Sequence, residues 1–125
     1  MNKKIMIVIL SFVLLSSIIY VASLNHVKAD SVTVLSSSGF ADSSGDYQIV
    51  GEVQNTGSGT VDNVQITATY YDSHNNLVDT QSDYASLSYM QPNAKSPFEI
   101  TETSGTIVPQ ISTFKLQVSS ESSSS

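Results

Sequence analysis

A catalytic site needs groups that activate one another, and this chain of 125 residues offers few such pairs. His74 is surrounded by turn-forming residues, where water competes for the imidazole and no rigid partner holds it. Glu52, Glu99 and Glu102 could supply the two carboxyl groups of a glycosidase, but we expect them to point outward from strands into solvent. The sequence therefore predicts no catalytic residues and a protein that is not an enzyme.

Four oxygen-bearing side chains lie within eight residues of one another in a predicted loop: Asp72, Asn75, Asn76 and Asp79. Calcium prefers such hard ligands, so this loop is the candidate metal site. The ligand spacing of an EF-hand is absent, and Asp and Asn also form turns by hydrogen bonding to nearby backbone. We expect a simple turn with no metal or cofactor, and calcium binding at this loop is the alternative.

Three tyrosines could form an aromatic platform for a partner: Tyr71, Tyr84 and Tyr89. Tyr71 follows Tyr70 in an alternating segment, so it lies on the face opposite the predicted core. Tyrosines with one end in water are common at interfaces and on ordinary strand faces. Sugar-binding sites more often use Trp, which the chain lacks, so the sequence leaves open whether the partner is a protein or a glycan.

The composition excludes several classes of function. The chain has no Arg and a net charge of −6, which argues against a nucleic-acid partner, because phosphate backbones require a clustered cationic surface. It also has no Cys, so disulfide, zinc-thiolate and thiol-nucleophile chemistry are impossible. From Asp30 onward only two lysines oppose eleven acidic residues, giving a net charge of −9. We expect a soluble acidic domain that repels anionic surfaces.

Residues 1–29 are interpreted as a signal peptide or an N-terminal membrane anchor. Lys3 and Lys4 precede an uncharged, mostly apolar helical segment, residues 5–22, whose length favours an anchor. Val27 and Ala29 suit cleavage by a signal peptidase after Ala29. Either outcome predicts an extracellular or cell-surface domain, exported by the general secretory route, that contacts a membrane only through residues 5–22 if the segment is retained.

The chain from Asp30 onward alternates with the period of β-strands. The segments around residues 32–34, 47–54, 64–71, 77–84, 98–100 and 114–118 are separated by turns rich in Gly, Pro, Asn and Asp. Gly51 interrupts one apolar face at a point where we expect a neighbouring chain to approach closely. The predicted core comprises Ile49, Val53, Val64, Ile66, Ala68, Tyr70, Phe98, Ile100, Phe114 and Leu116.

Six or seven short strands at regular spacing, without an amphipathic helix between them, predict an all-β fold. We expect an antiparallel immunoglobulin- or fibronectin-like β-sandwich over residues 30–119. The Cys–Trp–Cys centre of antibody domains is missing, so the core must be aliphatic and aromatic. Residues 120–125, mostly Ser, are expected to form a disordered tail.

Three segments in order carry a resemblance to a known family. These are residues 50–57 (VGEVQNTG), residues 64–72 (VQITATYYD), and Pro92 followed by residues 95–100 (KSPFEI). Together they resemble the FxLYD domain family over residues 40–119, although no literal Phe-x-Leu-Tyr-Asp string occurs and Pro92-Asn93 replaces the usual Pro-Gly turn. The resemblance implies a small β-sandwich of an exported prokaryotic protein and brings no catalytic residues.

These observations predict an exported, non-enzymatic interaction or structural module of the cell envelope with an unknown partner. One alternative is a self-assembling subunit of a surface fibre or layer, in which residues 32–35 pair with a neighbour and residues 36–39 act as a hinge. A second alternative is a β-sandwich that binds calcium or a glycan.

Overall fold

A computed structural model describes residues 31–122 of the chain. The elements in chain order are β1 (Val32–Ala41), β2 (Tyr47–Asn55), β3 (Val61–Tyr71), β4 (Leu77–Tyr84), β5 (Tyr89–Met90), β6 (Lys95–Glu102), a 3-10 helix (Val108–Gln110) and β7 (Thr113–Ser122). Within this range no helix is long and apolar enough to cross a membrane. The predicted N-terminal helix lies outside the described residues.

The strands form two antiparallel sheets. One sheet has the order β1-β2-β6, and in the other β3 is central, pairing with β4 and the short β5 on one side and with β7 on the other. Alternating side chains of both sheets meet between the layers, which is the arrangement that period-2 sequences require. The prediction of an all-β, two-sheet domain is confirmed.

Fifteen buried apolar residues fill the space between the sheets: Val32, Val34, Ile49, Val53, Val61, Val64, Ile66, Ala68, Tyr70, Ala85, Met90, Phe98, Ile100, Leu116 and Val118. Nine of the ten predicted core residues are among them. The exception is Phe114, which is partly buried and packs against the cluster. Of the additional members, Val118 is in phase with Leu116, whereas Val61 is out of phase with Val64 because the β3 bulge lies between them. Ala85 and Met90 come from the segment after β4 and from the two-residue strand β5, where alternation gives no signal.

Two strands extend beyond their predicted bounds. β1 continues through residues 36–39, to which only the alternative of a fibre subunit assigned a hinge, because these residues remain paired with residues 49–52 of β2. At the other end, β7 extends to Ser122, so residues 120–122 are strand and not tail. Glu121 and Ser122 lie opposite Asp62 and Val61 of β3, and this pairing orders a segment that has little apolar surface to bury.

Candidate binding site

A shallow groove of about 390 Å³ opens on the outer face of the β4-β3-β7 sheet. Its lining is polar apart from one aromatic ring and consists of Asn63, Gln65, Tyr84, Ser119, Ser120 and Glu121. A second cavity of about 100 Å³ adjoins it, and Asn63 and Tyr84 line both. Leu87 and Ser88 contribute to the far wall of the smaller cavity. The two cavities together form an elongated depression around Asn63 and Tyr84.

An irregularity in β3 positions the groove. The β3–β7 register shifts between Asp62 and Gln65, so that two residues of β3 oppose one residue of β7. Asn63, in this bulge, has a φ of 50°, a left-handed conformation that Asn adopts more readily than most residues. Its Nδ2 donates a hydrogen bond of 3.0 Å to Oε1 of Glu121. The bulge turns Asn63 outward and opens a gap in the otherwise regular polar face.

Large exposed side chains flank this depression. The exposed fractions of Tyr84, Leu87 and Tyr89 are 56%, 44% and 64%. Tyr84 lies opposite Gln65 in the β3–β4 register, and Tyr89 lies opposite Asp62 across the β3–β5 pair. These registers place both tyrosines at the same end of β3, so two of the three predicted platform tyrosines share one surface.

Tyr71 lies at the other end of the sheet. It is six residues beyond Gln65 along β3, a distance of about 20 Å in an extended strand. The Lys115 ammonium group sits 5.3 Å from the centre of its ring, which is a cation–π contact. Tyr71 is therefore separate from the pair formed by Tyr84 and Tyr89.

The groove offers hydrogen-bonding groups to a ligand. The side chains of Asn63, Gln65, Ser119 and Glu121 line it. Beneath this surface, Oγ of Ser120 and Oδ1 of Asp62 are buried, and neither has a hydrogen-bond partner among the described residues. Buried polar atoms without partners are uncommon in folded proteins. The groove thus combines side-chain amides, hydroxyls and a carboxylate with the exposed ring of Tyr84, a set that suits recognition of a polar ligand with an apolar face.

The four predicted calcium ligands do not converge. Asp72 uses Oδ1 to accept hydrogen bonds of 2.9 Å from the backbone N–H groups of both His74 and Asn76. These bonds, chiefly that from Asn76, hold the pKa of Asp72 below its usual value. Asp79 instead belongs to a different cluster described below. Among residues 31–122 there is no group of three or more His, Asp or Glu side chains arranged to hold a metal ion.

The loop between β1 and β2 repeats the construction of the Asp72 loop. Oδ1 of Asp42 accepts hydrogen bonds from the N–H groups of Ser44 and Asp46, and Oδ2 accepts one from Nε2 of Gln48. The hydrogen bond from Gln48 contributes most to lowering the pKa of Asp42 far below its usual value. Each loop has a left-handed residue three positions after its Asp, Gly45 with φ 93° and Asn75 with φ 66°. Both loops are self-contained turns.

The prediction that all three glutamates point into solvent is wrong for Glu102. It is 2% exposed and lies between the sheets, in phase with the buried Phe98 and Ile100. A hydrogen bond joins its carboxyl group to that of Asp79, burial raises the pKa of Glu102, and the same hydrogen bond lowers the pKa of Asp79. Glu99 is exposed and Glu52 half-buried, so the surroundings of Glu102 differ from those of the other two glutamates.

Neighbouring groups complete this pair of carboxyl groups. Nε2 of Gln81 donates to Oε1 of Glu102 at 3.2 Å, and the N–H of Ser104 donates to Oε2 at 3.1 Å. Tyr70 contacts Tyr47 edge to face, with 5.9 Å between ring centres. The Tyr70 hydroxyl is buried without a hydrogen-bond partner among the described residues, and burial raises its pKa. Neither of the two cavities described above is lined by a residue of this cluster.

Sequence reasoning missed the residues that shape the groove. Asn63 and Gln65 lie in a strand whose alternation looks unbroken from Val64 onward, and the bulge becomes visible only once β7 is paired. Asn55 was also missed. It is completely buried, and its Nδ2 donates hydrogen bonds of 2.8 Å to the carbonyl oxygens of Gly59 and Met90. Its phase with Ile49 and Val53 is a sequence signal for this inward position.

Comparison with known proteins identifies the fold only. No known family's sequence profile matches the chain, and no curated protein matches it. Among solved structures, a DUF1425 family member from Shewanella sp. pv-4 is 14% identical with a TM-score of 0.50, over 70% of this chain and 76% of that chain. Campylobacter jejuni cj0090 is 10% identical with a TM-score of 0.46, over 68% and 82% of the two chains. The first likeness supports a small all-β domain.

Proposed function

We propose that the chain is an exported, non-enzymatic module of the cell envelope that binds a partner at the groove between Asn63 and Tyr84. The observation that carries the proposal is the coincidence of this groove with two exposed tyrosines at one end of the sheet. The N-terminal pattern of two lysines and an apolar segment supports export, by cleavage or as an anchored surface domain.

The proposed fold family is an immunoglobulin-like sandwich of the FxLYD type. The first, second and sixth strands share one sheet, and the third strand pairs with the fourth and the last. This order is like the A-B-E grouping and the C–F pairing of immunoglobulin-like domains, with no G strand within residues 31–122. The segments VGEVQNTG, VQITATYYD and KSPFEI support FxLYD membership.

A neutral glycan is the partner that the groove fits best. Five of its six lining residues are uncharged, and they present amide and hydroxyl groups at the spacing of adjacent strands. The exposed ring of Tyr84 offers a flat apolar surface on which a sugar ring can stack. The acidic domain repels anionic polymers, so a neutral saccharide meets less electrostatic resistance than a phosphorylated or uronic one.

Titration calorimetry with a panel of neutral oligosaccharides tests this proposal. Cello-, malto- and chito-oligosaccharides are suitable probes because they differ in linkage and in N-acetylation. We expect at least one to bind, and Tyr84→Ala to weaken binding by roughly five- to tenfold, since a stacking ring contributes about 1 kcal/mol.

Tyr71→Ala is the matched control. Tyr71 is on the same outer face at the far end of β3, so its removal leaves glycan binding unchanged. Equal losses in both variants would contradict a site at Tyr84. Binding of none of the sugars, together with binding of an extended peptide that depends on Tyr84, would replace the glycan with a protein partner while keeping the site.

A further inference from the structure

Four strands of eight residues or more lie at the edges of the two sheets in the described part of the chain: β1, β4, β6 and β7. An edge strand presents unpaired N–H and C=O groups, and proteins protect such edges with charged residues or Pro. Three of the four edges are protected in this way, by Asp79 and Asp83 on β4, by Lys95, Pro97 and Glu99 on β6, and by Lys115 and Glu121 on β7. The ten residues of β1 include neither a charged residue nor a Pro.

The second half of β1 is regular enough to accept another strand. A bulge at Leu35 interrupts the β1–β2 register, after which Ser36–Ala41 pair continuously with residues 47–52 of β2. Leu35 and Phe40 on this strand are 36% and 44% exposed. This free edge therefore combines unpaired backbone with exposed apolar side chains.

We propose that the β1 edge pairs antiparallel with the β1 edge of a second copy of this chain. The pairing joins two sheets of three strands into one continuous sheet of six. The net charge of −9 from Asp30 onward opposes contacts between two copies through their charged surfaces. β1 is the one long edge strand of the described residues without a charged residue, so two copies meet there without charge repulsion between the paired strands. The inference is independent of the glycan site, which lies on the other sheet.

Symmetry fixes the register of this pairing. A two-fold axis perpendicular to the sheet relates the two copies, and both hydrophobic cores then lie on the same face of the six-stranded sheet. This requires each residue to lie opposite a residue whose side chain points to that same face. With the axis at Ser38, each Ser38 faces its counterpart, and Phe40 of one copy lies opposite Ser36 of the other. Each β1 keeps its own pairing with β2, so this arrangement differs from the donation of residues 32–35 to a neighbour.

Cysteine cross-linking tests the contact directly, because the chain has no Cys of its own. In the full chain on intact cells, Ser38→Cys is expected to form a disulfide-linked dimer on mild oxidation. Thr80→Cys is the matched control, since Thr80 is an exposed residue on the protected edge strand β4. We expect roughly tenfold more dimer from Ser38→Cys, as paired strands raise the local thiol concentration. Equal yields would overturn the proposal.

Light scattering of the purified full chain in detergent gives a second readout. The wild type is expected to be dimeric at about 100 µM, where a small interface is populated. Ser38→Lys places like charges across the axis and converts the dimer to a monomer, whereas Thr80→Lys leaves it intact. A monomeric wild type would overturn the proposal, as would cross-linking of Ser38→Cys to a different protein. Thermal unfolding compared at a dilution where the wild type is monomeric, and unchanged in both lysine variants, separates lost pairing from misfolding.

Discussion

Phe98 lies directly opposite Gly51 in the β2–β6 register, and its ring covers the space that a side chain would fill at Gly51. A Cβ built on Gly51 would lie 2.7 Å from Cζ of Phe98 and still closer to the carbonyl oxygen of Ser36 in β1. Gly51 is thus the point where the bulged strand β1 and the aromatic core both approach β2. This contact confirms the close approach that the sequence predicted at Gly51.

Replacing Gly51 with Ala is expected to destabilise the domain by about 1 to 3 kcal/mol, because backbone as well as side-chain atoms must move. Urea denaturation followed by circular dichroism measures the change in the free energy of unfolding. Gly59→Ala is the control, since nothing lies within 4 Å of a Cβ at that position. A loss at Gly51 no larger than that at Gly59 would show that the strands adapt without cost.

Asn55→Ala tests the buried hydrogen bonds at the end of β2. The substitution removes two bonds donated by Nδ2 and leaves the carbonyl oxygens of Gly59 and Met90 without that donor. We expect a loss of about 2 kcal/mol or more in the free energy of unfolding, measured by urea denaturation. Gln54→Ala, one residue earlier and on the other face, should change stability by about 0.5 kcal/mol or less. Similar values for both variants would contradict the role of Asn55.

Glu102 predicts a distinctive pH dependence. Its pKa is raised above the ordinary 4.5, so the folded chain still holds this proton where the unfolded chain has lost it. The contribution of Glu102 to stability is therefore present below pH 4.5 and is lost as the pH rises through the raised folded pKa. Asp79, with a lowered pKa, acts in the opposite direction at lower pH, contributing stability that disappears as its carboxylate is protonated.

Urea denaturation of the wild type and Glu102→Gln between pH 4 and pH 8 separates these effects. The uncharged variant should gain stability relative to the wild type as the pH rises above 4.5, because Gln avoids burying a charge beside Asp79. Glu99→Gln, on an exposed position of the same strand, should show no such trend. A constant difference between wild type and Glu102→Gln across the range would indicate that Glu102 does not titrate differently on folding.

The Asp72 loop offers a stabilising substitution. Asn75 has a φ of 66° at the position that Gly45 occupies in the Asp42 loop. Gly adopts this conformation without the clash that a Cβ causes, so Asn75→Gly should stabilise the domain by a few tenths to about 1 kcal/mol. Thermal unfolding by calorimetry measures the gain. Asn76→Gly, at a residue without positive φ, serves as the control and should destabilise the domain. A less stable Asn75→Gly variant would contradict the prediction.

Much of the fold could be predicted because the sequence of a single strand shows which of its residues face the core. Nine of the ten core residues predicted from alternation are buried in the structure. The glycine at position 51 also indicated that a neighbouring strand approaches closely there, before that strand was known. Interactions between residues of different strands could not be predicted from the sequence in the same way. Glu102 is in phase with Ile100, but its stabilising partner Asp79 belongs to the other sheet. The binding groove depends on a register shift between β3 and β7 that no local pattern specifies.

The central claim is that the groove beside Tyr84 is the binding site, and NMR titration with the oligosaccharide that binds best tests it most directly. The predicted result is that shifted amide signals cluster at residues 62–65, 84–89 and 119–121, and leave Tyr71 and Lys115 unchanged. Shifts centred on Tyr71, or on the β1-β2-β6 sheet, would place binding elsewhere and contradict the claim.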